Sequence, residues 1–473
     1  MSTAAVFDLD RTLLSGGSGP VIAEALRRVG LGPERSIPGA EALFKVYETI
    51  GETYPSMLLA RQAVSLSSGW PVEEVAEAAE AAGGALEELV LPYAKAEIEE
   101  HREAGRRLAL ATTTPEHLVA PLARRLGFDT VIATRYGTSD GRYDGSIDGE
   151  FLWGRAKRDA VVAWATHEGI DLRSSYAYSD SYFDVPLLMA VGNPYAINPD
   201  PRLEGVARLR RWPVRYFDAP AGVPKVAGQE PQKIAMPLAV PELLPFARLR
   251  IDGVEHLPDE GGAIIVFNHR SYFDSTAMAY LLAQHGRPAR FLGKKEVFDA
   301  PVVGQLASWM GGIRVDRGTG SNEPLEHAAD ALSAGEMVAM APQGTIPRGP
   351  AFFETELKAR WGAARLAAMS GVPVFPVGLW GTEKVWPRNQ RVPKVPLFWR
   401  RPEVSVTVGP AVEGLNGDPD HDTSTIMAAI VDLLPSEARE PYEPTEAELL
   451  ATFPPGYDGD PTQESDRRPG TDT

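Results

Sequence analysis

Two clusters of polar residues, each at the exit of an apolar run, carry the chemistry of this 473-residue chain. The first is Asp8-Leu9-Asp10-Arg11-Thr12, behind the run TAAVF. Carboxylates at i and i+2 on a strand's exit can converge on one metal and one phosphate. Phosphate-ester hydrolysis by a covalent route needs a carboxylate nucleophile and a second carboxylate that moves the proton. Thr112 lies in the apolar run LALATTT, where a hydroxyl and backbone amides can hold a phosphoryl oxygen. Lys157 follows the Gly-rich stretch RYDGSIDGE and is placed to neutralise a phosphorylated aspartate. Asp180 and Asp184, in SDSYFD, follow another apolar run and offer two carboxylates for Mg2+. That ion takes few carboxylates together with phosphate and water. A DxD pair alone is common in surface loops; four such groups in one order are not.

The second cluster is Asn268-His269-Arg270-Ser271-Tyr272-Phe273-Asp274, behind AIIVF. An Asp five positions after a His, across a strand-to-helix turn, can fix the imidazole tautomer. The other ring nitrogen is then a base for an alcohol, so the hydroxyl belongs to the substrate. Three further blocks add to it. Gly312–Arg317 is strand-like and ends in a guanidinium suited to phosphate. Pro342-Gln343-Gly344-Thr345 is a tight turn with exposed amides and a hydroxyl. Val372–Gly378 supplies an apolar wall.

Composition narrows the possibilities. With no cysteine, disulfides, thiolate metal sites and a cysteine nucleophile are excluded, and an intracellular setting is expected. The net charge of −17 is a poor profile for a nucleic-acid binder, which needs a basic face. The acid is concentrated at the end: residues 411–473 hold 15 acidic and 3 basic residues. No apolar run reaches the ~18–20 residues that span a bilayer. The amino-terminal run has no basic flank and is broken by Asp8 and Asp10, so it does not read as a signal peptide.

The elements that must hold these clusters alternate strand and helix. In the first half the spacing predicts strands at 3–9, 108–114, 130–133 and 176–178, with helices between them and an Ala/Glu/Leu-rich helical insert after the first strand. In the second half it predicts strands at 263–267, 289–292, 336–341, 373–379 and 403–408, with helices at 274–285, 324–334 and 354–369. This alternation implies α/β sheets covered by helices. The expected organisation is a domain at 1–215, with a helical cap at about 15–100, then a Pro/Gly-rich linker at 216–245. A second domain at 246–435 and an acidic, disordered tail at 436–473 complete it.

The ordered set FDLDRTLL, LALATTTP, Lys157 and SDSYFDVPLL resembles the haloacid dehalogenase superfamily, in its phosphoserine-phosphatase-like branch. The resemblance implies a Rossmann-like core with a helical cap. It makes Asp8 the nucleophile and Asp10 the acid/base, puts Thr112 and Lys157 on phosphate, and gives Asp8, Asp10 (through its backbone carbonyl), Asp180 and Asp184 to Mg2+. Arg11 stands where that family often has a small residue. The blocks of the second half resemble the glycerolipid acyltransferases, the 1-acylglycerol-3-phosphate acyltransferases in particular. This implies His269 as base with Asp274 as its partner. Arg317, Gly344 and Thr345 then form the glycerol-phosphate site, with Asn268 and Gln343 counted among the substrate-binding residues. Gln343 and Ile346 replace the Glu and the basic residue usual around Gly-Thr. Together the halves look like an actinobacterial fusion of the two domains.

The expected activity is bifunctional. One site transfers an acyl chain from acyl-CoA or acyl carrier protein to a lysophospholipid acceptor, giving phosphatidic acid; the other hydrolyses a phosphomonoester with Mg2+. Acylation of another lipid alcohol, or a membrane-bound scaffold with a non-catalytic phosphatase-like half, are the alternatives. The segment 384–401 has 6 basic residues, no acid, and Trp386, Phe398 and Trp399. It suggests contact with anionic lipid. Arg208, Arg210, Arg211, Trp212, Arg215 and Tyr216 form a second such stretch. The expected location is cytoplasmic, peripheral on the inner face of the cell membrane.

Overall fold

The computed structural model describes residues 2–31, 52–220, 222–226, 228–240, 244–245, 247–316, 323–394 and 400–462. The chain divides into two units, Met1–Ala221 and Gly222–Thr473. In the first, β1 (Ala4–Phe7), β2 (Arg107–Pro115), β3 (Thr130–Thr134), β6 (Tyr176–Ser179), β7 (Asn193–Ile197) and β8 (Val214–Arg215) form one sheet in the order β3-β2-β1-β6-β7-β8. Every neighbouring pair in it is parallel. All four residues of β1 are buried, as a central strand covered on both faces requires. β4 (Tyr136–Ser139) and β5 (Arg142–Ile147) make a separate hairpin that leads to the helix Arg155–His167.

The insert after β1 is helical, with Gly19–Arg28, Tyr54–Ala63 and Val72–Glu88, followed by Pro92–Glu103 leading into β2. The helix Val72–Glu88 crosses Glu116–Arg125 so closely that a Cβ on Gly83 would lie 2.8 Å from Pro121 Cβ. This contact requires glycine there.

The second unit is a seven-stranded mixed sheet in the order β12-β11-β13-β10-β14-β15-β9. Its strands are β9 (Arg248–Asp252), β10 (Ala263–Phe267), β11 (Ala289–Lys294), β12 (Ile313–Val315), β13 (Met337–Met340), β14 (Val374–Trp380) and β15 (Glu403–Val408). β14 and β15 are antiparallel; the other recorded pairs are parallel. β10 is central and fully buried, and the helix Asp274–His285 returns from its end. Among the described residues no helix is long and apolar enough to cross a membrane.

Three expectations change. The helix placed at 354–369 begins only at Gly362; the amide of Arg360 instead donates to the carbonyl of Pro342, a tertiary bond that competes with helix. The segment 216–245 is not a free linker. Phe217 is buried in the first unit, and Glu230 forms a buried ion pair with Arg290, 2.6 Å, in the second. The tail is ordered through residue 462. A capping box of Thr445 and Glu448 starts the helix Glu446–Ala451, Leu449 and Phe453 are buried, and Thr452 Oγ1 accepts from Gly349 N at 2.8 Å. Two apolar anchors in an acidic stretch were enough to dock it.

Candidate active sites

In the first unit the functional side chains leave the carboxyl ends of β1, β2 and β6. The amide of Asp8 still pairs with the carbonyl of Tyr178, 3.0 Å, so its side chain starts where the sheet ends. Lys157, on the helix after the hairpin, is 1% exposed and donates to Asp8 Oδ1 and Asp184 Oδ2, each at 2.8 Å. Asp180 N donates to Thr12 Oγ1 at 2.9 Å, and that hydroxyl also reaches Asp8 Oδ2 at 3.2 Å. Asp10 accepts from the amide of Ser18 and from Thr114 Oγ1 at 3.4 Å. Thr112 is buried, and its hydroxyl accepts from the Thr114 amide. Asp8, Asp10, Thr112, Lys157, Asp180 and Asp184 thus gather at one sheet edge.

Four groups in this site have no signal in the Asp-x-Asp spacing. Thr12 bridges Asp8 and Asp180. Ser179 donates to Asp184 Oδ2 at 2.8 Å. Glu52, from the insert, accepts from Ser181 Oγ at 2.6 Å and from Trp153 Nε1 at 3.1 Å. Arg11 takes a positive φ of 59°, the conformation a small residue suits, and its guanidinium lies 3.3 Å from Asp180. Only Arg11 could have been suspected, as a residue out of place.

The electrostatics follow from crowding. Burial pushes the Asp8 carboxyl up to about 7, against the pull of Lys157. Burial likewise raises Asp10, Glu52 and Asp180. Burial opposes the charge on Lys157, but Asp184, Asp8 and Glu52 outweigh it and hold that group well above its usual range. Five acids share Lys157 and the Arg11 guanidinium, and the buried Asp184 Oδ1 has no hydrogen-bond partner. Among the described residues no three His, Asp or Glu side chains already form a cage. An oxygen-only donor set with few carboxylates, completed by phosphate and water, nonetheless fits Mg2+.

In the second unit the site forms where β10, β11 and β13 end. His269 Nδ1 lies 2.6 Å from Asp274 Oδ2, which also accepts from the amides of Arg270, 2.7 Å, and Ser271, 2.9 Å. Asp274 is fully buried at the start of its helix, where the helix dipole favours a carboxylate. His269 keeps its side chain 23% exposed, so the opposite ring edge is open to a substrate. Gly344, at φ 67°, makes the turn after β13. Lys294, at the end of β11, donates to Thr345 Oγ1 at 3.0 Å and so adds a cation to that turn.

Two residues expected to bind substrate have other partners. Asn268 bonds both ways with the backbone of Leu379, Nδ2 to O at 2.9 Å and Oδ1 from N at 2.7 Å, which ties the loop to β14. Gln343 is buried, and its Oε1 accepts from the His269 amide at 2.7 Å, so it positions the histidine. Ile346 is also buried, and its carbonyl accepts from Arg388 Nη1 at 2.8 Å. Arg317, Phe398 and Trp399 lie outside the described residues. Trp386 and Arg388 pack in the domain: the Trp386 carbonyl accepts from Ser271 Oγ at 2.7 Å, and Arg388 is 8% exposed. The basic–aromatic segment is therefore partly structural.

A cap over a parallel sheet, with carboxylates and a lysine at its edge, defines a phosphoryl-handling α/β hydrolase; a His–Asp pair at the edge of a second sheet defines an acyl-transfer unit. Residues 5–189 match the family model of haloacid dehalogenase-like hydrolases, and 248–380 that of the acyltransferases. The chain is 36% identical over 223 residues to the inhibition of morphological differentiation protein of Streptomyces azureus, covering 46% of this chain and 79% of that one. It is 34% identical over 220 residues to phosphoserine phosphatase SerB1 of Mycobacterium tuberculosis, covering 46% and 71%. It is also 31% identical over 148 residues to the chloroplastic 1-acyl-sn-glycerol-3-phosphate acyltransferase LPAT1 of Arabidopsis thaliana, covering 31% and 39%. The chain belongs to the haloacid dehalogenase-like hydrolases, in a fusion of that hydrolase domain with an acyltransferase domain.

Proposed function

We propose that the second unit is a 1-acylglycerol-3-phosphate O-acyltransferase and the first a Mg2+-dependent phosphomonoesterase, in one protein of phospholipid synthesis. The observation that carries this reading is the His269–Asp274 contact at 2.6 Å, with Asp274 Oδ2 also held by two backbone amides. Asp274 fixes the imidazole so that Nε2 takes the proton of the acceptor's free hydroxyl. The oxygen attacks the thioester carbonyl of acyl-CoA or acyl carrier protein, and the leaving thiolate recovers the proton from His269. Lys294 and Thr345, with the Gly344 amide and Arg317, hold the acceptor's phosphate. The product is phosphatidic acid.

In the first unit Asp8 attacks phosphorus while Asp10 protonates the leaving alkoxide. Asp10 then takes a proton from the water that hydrolyses the aspartyl-phosphate. Lys157 and Thr112 bind the phosphoryl oxygens. Asp8, Asp180, Asp184 and the Asp10 carbonyl would hold Mg2+, which supplies charge neutralisation on the phosphate. Closure of the helical insert would exclude water. The location is cytoplasmic, peripheral on the inner membrane face.

A second reading, acylation of a different lipid alcohol, is favoured by the buried Ile346 where a basic residue is usual. Incubating the purified protein with acyl-CoA and a panel of lysolipids, with and without Mg2+, distinguishes them by mass spectrometry of the products. Acylated lysophosphatidate is the expected product. Acylation of an uncharged lysolipid alone would replace the first reading with the second, and no acyl transfer at all would overturn both.

A further inference from the structure

The sheet of the hydrolase unit has a second feature at its other edge. The catalytic groups follow the carboxyl ends of β1, β2 and β6. At the amino-terminal edge, a cleft of about 350 Å3 opens between the end of the short helix Val185–Leu188, the start of β7 and the turn leading into β8. Met189, Tyr195, Arg210, Arg211 and Trp212 line it. The turn comes from the end of the helix Pro201–Arg210, where Arg211 takes a left-handed φ of 57°.

The charge here runs against the chain's overall balance, as it does in 384–401. Residues 205–215 contain four arginines and no acid, in a protein of net charge −17. Arg208 is paired with Glu204, and Arg215 with Glu97 at 2.8 Å. Arg210 and Arg211 are exposed, the former with its guanidinium 5.5 Å over the ring of Trp212. Basic residues in a helix's last turn are ordinary, because the dipole favours them there. That does not account for Leu209, between them, at 85% exposure, or for Met189 at 54%. Apolar side chains projecting beside guanidiniums that have no carboxylate partner among the described residues match a surface that offers phosphates in its outer layer and hydrocarbon beneath.

We propose that this cleft is a docking site for an anionic phospholipid bilayer, with Arg210 and Arg211 on headgroup phosphates and Leu209 and Met189 entering the interface. It does not depend on the acyl-transfer reading. The strands run away from this edge toward Asp8, so the contact leaves the phosphatase site clear.

The test is co-sedimentation of the full chain with vesicles of phosphatidylcholine containing phosphatidylglycerol, against phosphatidylcholine alone. The variant combines Leu209→Ser, Arg210→Gln and Arg211→Gly, the last relieving the left-handed backbone. Each cation near such a surface contributes on the order of 1 kcal/mol, so binding to anionic vesicles should fall roughly tenfold or more. The loss should shrink at high salt. Hydrolysis of a soluble phosphomonoester should stay at the parent's rate, which certifies the fold. A control, Arg124→Gln with Arg125→Gln, removes the same charge elsewhere and should bind like the parent. Unchanged binding in the triple variant, or an equal loss in the control, overturns the proposal. Failure to bind vesicles with tight binding to a poly-glutamate peptide overturns it in favour of an acidic protein partner.

Discussion

The two catalytic units solve the problem of a buried carboxylate in opposite ways. In the hydrolase unit Asp8, Asp10, Asp180, Asp184 and Glu52 crowd around Lys157, and burial raises several of them. At the His269 site one carboxylate, Asp274, is buried with two backbone amides and one imidazole directed at it. Each arrangement leaves one buried oxygen without a hydrogen-bond partner, Asp184 Oδ1 in the first and Asp274 Oδ1 in the second. Crowding acids concentrates charge at one point, whereas directing amides at one acid fixes its orientation.

The comparison is broken most sharply by removing one reacting group at a time. Asp8→Asn should abolish phosphomonoester hydrolysis and leave acyl transfer intact, followed by phosphate release and product analysis on one preparation. His269→Ala should do the reverse, with a fall of about 10²–10⁴ in acyl transfer. If either substitution silences both activities, the units are not chemically separate. A chelator sharpens the same contrast, because it should extinguish hydrolysis while acyl transfer to a soluble short-chain acceptor continues.

Smaller effects test what supports each site. Removing residues 441–473 deletes the buried Leu449 and Phe453 and the Thr452 bond to Gly349, just beyond the 342–345 turn. Each buried side chain is worth about 1.5–3 kcal/mol, so the acyltransferase transition should fall by roughly 6–12 °C in calorimetry, with acyl transfer reduced. An unchanged midpoint would mean that the tail packs without holding. Acidification acts on the hydrolase unit in two opposing directions: Asp8, Asp10, Glu52 and Asp180, raised by burial, take up protons that favour the folded unit, and two buried histidines oppose them. Burial, with help from Arg106, lowers His101 to about 4, and burial lowers His117 to about 4. Between roughly pH 6.5 and 4 the unfolded chain binds these two protons and the folded unit does not, so the histidines' contribution to stability falls as pH falls through that window. Substituting His117 with Phe should remove about one proton's worth of that contribution, so that in urea titrations the variant gains stability relative to the parent as pH falls from roughly 7 to 5. Smallest is Gln343→Glu. The new oxygen can still accept from the His269 amide, so acyl transfer should change only a few-fold while its pH profile moves to higher pH.

The strands and the residues at their ends were legible because they are local patterns. AIIVF and LALATTT are continuous apolar runs, and the polar group that follows each is forced to the sheet edge. What was not legible depends on pairings far apart in the chain. Gln343 reads as a turn residue until its carbonyl is found on the amide of His269, 74 residues away. Thr12 is an ordinary threonine until Asp180 folds against it. The ordered tail was missed because composition averages over 38 residues what two, Leu449 and Phe453, decide.

Trp153 has a further use. Its indole donates to Glu52, and its ring packs on Phe183 with centroids 4.5 Å apart, directly beside the phosphoryl edge. An indole bonded to a buried carboxylate is an optical gauge of that carboxylate. Trp153 meets the insert twice, through Glu52 and through the ring of Tyr54, edge-on at 5.3 Å. Its emission would follow opening and closing over the site in real time, without a label, and Trp153→Phe would supply the blank.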